Sequence, residues 1–206
     1  MTDFKETQYT AFDGNRKIAT GTLLTVALAV KQAIEAGPDG TLLVNDHATG
    51  RMIDVDARGT SDDVQARYKP SDEPQLLDSE PTSAQNARGR PKLGVVAREV
   101  TLLPRHWDWL NEQPGGASVA LRKLVEEARR INQAKDRIRR SQTAAYHFMS
   151  AMAGDLPNFE EASRALFAND RLRFEGLISA WPNDIRTHAY DLAFSALVPN
   201  APDQTS

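Results

Sequence analysis

Residues 88–92 read Arg-Gly-Arg-Pro-Lys. This is chemistry for a narrow, negatively charged groove. Gly89 lets the backbone approach closely and Pro91 holds the chain extended. Arg88 and Arg90 can then run along the floor of a DNA minor groove, where A·T tracts concentrate negative potential. Lys92 adds a phosphate contact. The basic, solvated end of a linker would have the same composition. Other chemistry is sparse. His47, His106, His147 and His188 fall in different predicted elements, and no two have metal-ligand spacing. His47, beside Asp46, reads as a turn residue, and His147 and His188 as partners of helix ends or of groups at the core edge. The chain has no cysteine, which excludes disulfides, thiolate metal sites and thiol nucleophiles. It has no Gly-rich phosphate loop and no nucleophile elbow. Favourable charge at a helix start explains Glu160-Glu161. No catalytic residue, metal or cofactor is expected, and the chain does not read as an enzyme.

The distribution of charge sharpens the question. The net charge is −3, yet residues 88–140 hold 13 Lys+Arg against 6 Asp+Glu, while residues 1–87 hold 8 against 14 and residues 141–206 hold 4 against 8. A basic block between two acidic ones points to an anionic partner for the middle of the chain, or to a charged helix face in water. Arg129, Arg130, Lys135, Arg137, Arg139 and Arg140 at the end of that block could follow a phosphate backbone. With Ile131 and Ile138 beneath them, they also fit a solvated helix face.

The elements that position these residues follow from periodicity. Gln8–Phe12 and Lys17–Gly21 read as strands around the turn Asp13-Gly14-Asn15. A helix follows over LLTVALAVKQAIEAG, capped by Thr22 or Thr25 and ended by Gly37 and Pro38. TLLVND and RMIDVDARG form a second hairpin. The expected N-terminal unit, residues 1–59, is ββαββ with the helix on one sheet face. Residues 60–92 are rich in Ser, Asp, Pro, Glu and Gln and read as a disordered linker that ends in the basic arm. Residues 93–198 read as a mostly helical domain. It opens with a short strand up to Leu103-Pro104, then the helix RHWDWLNEQ, then a long helical pattern from Ala117 to Asp155 that is continuous or broken near Ser141. Three shorter helices follow: Asn158 and Glu161 as a capping box for the first, Asn169 or Asp170 capping the second, and DIRTHAYDLAFSAL as the last. The fold class is α+β.

Three resemblances attach to these residues. Arg88-Gly89-Arg90-Pro91 resembles the core of an AT-hook, which implies contact with an A·T-rich minor groove. The segment AREVTLLPRHWDWLNEQPGGASVALRKLVEEARR resembles a ribbon-helix-helix module. The resemblance rests on the strand ending at Leu103-Pro104, on inward Trp107 and Leu110, on a Gly-containing turn, and on Ser118-x-Ala120-Leu121-Arg122-x-Leu124. It implies a homodimer that pairs residues 95–103 of two chains into a ribbon. The second-helix N-terminus would anchor a phosphate, with Arg98, Arg105, Ser118, Arg122 and Lys123 near the DNA backbone. In one strand register Arg98, Val100 and Leu102 face DNA; in the other Glu99 and Thr101 do. Either leaves only Arg98 or Thr101 as a plausible base reader. Across most of its length the chain also resembles a bacterial family known only as domain of unknown function 2239, through GRPKLGVVAREVTLLPRHWDWL, AAYHFMSAMAGD, FEEASRALFAND and WPNDIRTHAYDLA. That likeness implies no activity.

The N-terminus lacks a basic-then-apolar leader, and the longest apolar run, near Leu23–Val30, is too short to span a bilayer. The expectation is a soluble cytoplasmic protein with no membrane partner. It is read as a DNA-binding regulator or accessory protein, with a protein–protein interaction or antitoxin-like adaptor module as the alternative.

Overall fold

Both expected hairpins form. The computed structural model describes residues 8–69, 96 and 98–194. β1 (Tyr9–Asp13) and β2 (Arg16–Gly21) pair antiparallel, and β3 (Leu42–Asp46) and β4 (Met52–Ile53) pair likewise; β1 also pairs antiparallel with β3, so the sheet order is β2-β1-β3-β4. Between the hairpins runs α1 (Leu23–Ala36), capped by Thr22, whose side chain accepts from the Thr25 amide. The turn after β1 is fixed from outside. The Asp13 carboxylate accepts from the Asp39 and Gly40 amides at 3.1 and 2.7 Å and from Arg16 at 3.0 Å. Partial burial works against its charge, but these donors hold its carboxyl below the usual carboxylate range.

Residues alternate across the sheet, so Ala11 and Phe12 face opposite ways. Ala11 packs with Val26, Val30 and Val44 on the α1 side. Phe12 packs on the other side with Phe148, Leu166, Ile178 and Ile185, which come from helices far along the chain. Those helices are α4 (Gly116–Met152), α5 (Phe159–Phe167), α6 (Arg171–Leu177) and α7 (Asn183–Phe194). α4 runs without a break at Ser141. The Trp181 indole N–H donates to Pro157 O (2.8 Å) and the Gln142 amide donates to Leu166 O (2.9 Å), which satisfies polar groups that packing would otherwise orphan.

Three local expectations are corrected. The range read as disordered from residue 60 opens with a helix, α2 (Ser61–Tyr68), because Thr60 and Asp63 cap each other's backbone and Arg67 donates to Asp56 O at 2.7 Å. Asn158 makes no side-chain cap, since it adopts a left-handed conformation with φ 65°; Glu161 instead pairs with Arg164 and Arg173. Of the strand expected over 95–103, the described residues, 96 and 98–103, show no regular structure until α3 (Pro104–Asn111) begins. A ribbon strand takes its hydrogen bonds from a neighbouring strand, and the described residues supply none beside this segment.

The chain divides into two compact units, Met1–Pro70 with Gln133–Ser206, and Ser71–Asn132. The first takes in both the sheet and the C-terminal helices. The described part of the second holds α3 and the first turns of α4, and its buried apolar side chains are Leu110 and Ala120.

Candidate functional site

The second unit carries most of the residues that the sequence marks for DNA; Lys135, Arg137, Arg139 and Arg140 of the basic run fall in the first. Arg88, Gly89, Arg90, Pro91 and Lys92 lie outside the described residues. Arg98, Arg105, Ser118, Arg122 and Lys123 are all exposed. Arg98 sits in irregular chain and Arg105 in the first turn of α3. Ser118 and Arg122 are one turn apart on α4, with Arg122 Nε donating to Ser118 O at 3.2 Å. Arg129 and Arg130 are exposed on the same helix, Arg129 paired with Glu126 at 2.9 Å. Trp107 is half-buried, while Trp109 is exposed.

The first unit holds a cleft that the sequence did not disclose. It is built on a polar row that crosses the sheet, where Thr20, Thr10 and Asn45 stand opposite one another on β2, β1 and β3. Thr10 and Asn45 are fully buried. Thr10 Oγ1 lies 2.9 Å from Thr20 Oγ1 and 2.7 Å from His47 Nε2. Asn45 Nδ2 donates to Gly50 O at 2.7 Å, so its Oδ1 is left to accept, and His188 Nε2 lies 3.0 Å from it. His188 Nε2 therefore carries the proton and Nδ1 is the unprotonated nitrogen. Burial, aided by nearby His47 and Lys17, pushes the His188 imidazole down to about 3, so it is neutral at physiological pH. The His47 and His188 rings meet edge to face with centroids 4.9 Å apart, and Phe148 packs on His188 at 4.6 Å.

His47 is placed by the turn between β3 and β4. Asp46 Oδ1 and Oδ2 accept from the Ala48 amide and the Thr49 hydroxyl at 2.9 and 2.8 Å. α4 clamps the same turn: His147 Nδ1 lies 2.8 Å from Thr49 O, and Gly50, at φ 69°, lies so near α4 that a Cβ there would stand 1.8 Å from Ala144 O. Only glycine fits that position.

The cleft these elements enclose has a volume of about 570 Å³, and Lys17, Arg137 and Arg140 line it together with a single acid, Asp191. Neither Lys17, Arg137 nor Arg140 has an ion-pair partner among the described residues. Thr20, Ser141 and Gln8 add polar groups, and Ala48, Ala144 and Leu192 supply carbon wall. Among the described residues no cluster of three or more His, Asp or Glu side chains is placed to hold a metal ion. Sequence spacing separated His47 from His188, yet one signal was present. Threonine and asparagine in the middle of the strand runs YTAFD and LLVND are poor core residues unless they serve one another or a site.

Among the described residues no helix is long and apolar enough to cross a membrane. No curated protein and no solved structure matches the chain. The family described as "Uncharacterized protein conserved in bacteria (DUF2239)" has a model that matches residues 8–193, so the chain belongs to that bacterial family.

Proposed function

We propose that the protein binds DNA as a regulator or accessory protein, through its second unit. One observation supports this above others: Arg98, Arg105, Arg122, Lys123, Arg129 and Arg130 are all exposed. Over residues 88–132 the chain carries 9 Lys+Arg against 5 Asp+Glu, in a protein whose net charge is −3. Exposed cations on one short segment are the electrostatic footprint of phosphate contact. The Arg88–Lys92 arm would enter an A·T-rich minor groove and supply the sequence preference, because the segment before α3 offers few base-reading side chains. Ser118 and the start of α4 would add a phosphate contact.

The same unit favours a homodimer. Leu121, Leu124, Ala128 and Ile131 recur at alternating three- and four-residue spacing on α4, and Leu124 and Ile131 are exposed. Such a seam, left open by the described residues, suits a second copy of itself. If residues 95–103 of two copies also pair, the ribbon strand forms at the same time. The second reading, an adaptor that holds a protein partner without reading DNA, rests on this same apolar surface.

The distinguishing experiment compares binding of A·T-rich and G·C-rich duplexes by the parent and by Arg88→Ala/Arg90→Ala. The proposal expects an A·T preference that the double variant loses. Binding that the substitutions leave unchanged removes the minor-groove arm, and no binding of either duplex at low salt leaves the adaptor reading.

A further inference from the structure

We infer that the cleft of the first unit is a binding site for a phosphomonoester of a hydroxylated small molecule, a nucleotide being the simplest member of that class. Lys17, Arg137 and Arg140 line the cleft against one carboxylate, Asp191, which leaves a net charge of +2 on its walls. A phosphomonoester at neutral pH carries roughly −1.5 to −2, so its terminal phosphate matches that field, whereas a phosphodiester carries half the charge. Arginine presents a fork of donors to phosphate oxygens, and Thr20 and Ser141 add hydroxyl donors.

The histidine pair specifies what accompanies the phosphate. His188 is neutral, and its Nε2 proton is committed to Asn45 Oδ1 at 3.0 Å. The ring therefore has an acceptor nitrogen to offer and no second donor. An acceptor among cations suits a ligand hydroxyl placed a few bonds from the phosphate. The volume of about 570 Å³ far exceeds what one phosphate needs and falls among small-molecule sites. Ala48, Ala144, Leu192 and the two imidazole rings provide carbon surface for the organic body. The site is also rigidly made, since the Thr20–Thr10–His47 chain and the Gly50–Asn45–His188 chain hold both rings from the sheet. The phosphomonoester has two sources, a free nucleotide or the phosphorylated end of a nucleic-acid strand.

Calorimetric titration of the full chain tests this with adenosine 5′-monophosphate and adenosine as probes. The nucleotide is expected to bind about tenfold or more tighter than the nucleoside. Lys17→Gln and Arg137→Gln should each weaken nucleotide binding by about fivefold or more with unchanged melting, because both side chains are exposed and unpaired. Lys135→Gln and Arg139→Gln, cations that do not line the cleft, should stay within about twofold of the parent. Arg122→Ala/Lys123→Ala should likewise leave nucleotide binding unchanged, so that failure of the cleft and failure of the DNA reading register separately. Competition by oligonucleotides identifies the source. Displacement by a 5′-phosphorylated strand, and not by a 5′-hydroxyl one, assigns the strand end, and displacement by neither assigns the free nucleotide. Equal binding of nucleotide and nucleoside, equal competition by the 5′-hydroxyl strand, or parent-like binding by the Lys17 and Arg137 variants would overturn the inference.

Discussion

In the first unit Phe12, Phe148, Phe174, Ile178 and Ile185 are wholly buried, whereas in the second Leu124, Val125 and Ile131 stand 44, 56 and 66% exposed. Both stretches of sequence carry apolar residues at regular spacing, so composition does not separate them. What differs is the supply of opposing surface. Both faces of the sheet are covered, one by α1 and the other, with Phe12 and the polar row, by the C-terminal helices. Among the described residues of its own unit the start of α4 has no such cover, and little is buried there beyond Leu110 and Ala120. A helical apolar pattern announces a surface to be covered without saying by what. In one unit the cover is the same chain; in the other, the proposal makes it a second copy.

The contrast can be attacked first where the effect is largest. Phe148→Ala empties a fully buried site against Phe12 and His188 and should cost about 3–5 kcal/mol in denaturant unfolding. Gly50→Ala should come next, at about 2 kcal/mol or more, because its Cβ meets the Ala144 carbonyl; Gly37→Ala, at φ 82° with open space around it, should cost only about 1 kcal/mol. A pH series follows. Burial pushes the His188 imidazole in the folded state down to about 3, from an ordinary value of 6.5. Below 6.5 the unfolded chain takes up a proton that the folded one refuses, so stability falls with decreasing pH, by about 2 kcal/mol at pH 5 relative to neutral pH. His188→Gln should flatten that limb, while the loss at more acid pH remains, because there the unfolded chain takes up a proton that the Asp13 carboxylate, held by its donors, still refuses. At the small end, Leu124→Ala or Ile131→Ala should change the unfolding free energy of the monomer by no more than about 0.5 kcal/mol yet weaken self-association measured by mass in solution. A large monomer effect would mean that this surface is already covered.

Much of the fold was legible because its signals are local. Alternation around Asp13-Gly14-Asn15 gave the first hairpin, Thr22 and Gly37 bounded α1, and Asp170 caps α6 as its residue type implies. The Thr60–Asp63 box was legible too, but the polar composition around it outweighed four residues of capping chemistry. The cleft was not legible. Its parts come from β1, β2, the turn after β3, α4 and α7, and only the covering of the second sheet face brings His188 to Asn45. Nothing in the spacing of four histidines encodes that meeting. The exposed cations of the second unit were legible for the opposite reason: exposure needs no partner, so charge in sequence maps directly to charge on the surface.

Duplex binding by the full chain across a salt series tests the central claim most directly. Phosphate contact by the second unit predicts that log affinity falls linearly with log salt, with a slope near −0.9 for each phosphate engaged, and that Arg122→Ala/Lys123→Ala makes the slope shallower by about 2. A slope that the double variant leaves unchanged, or no binding even at low salt, would contradict the account.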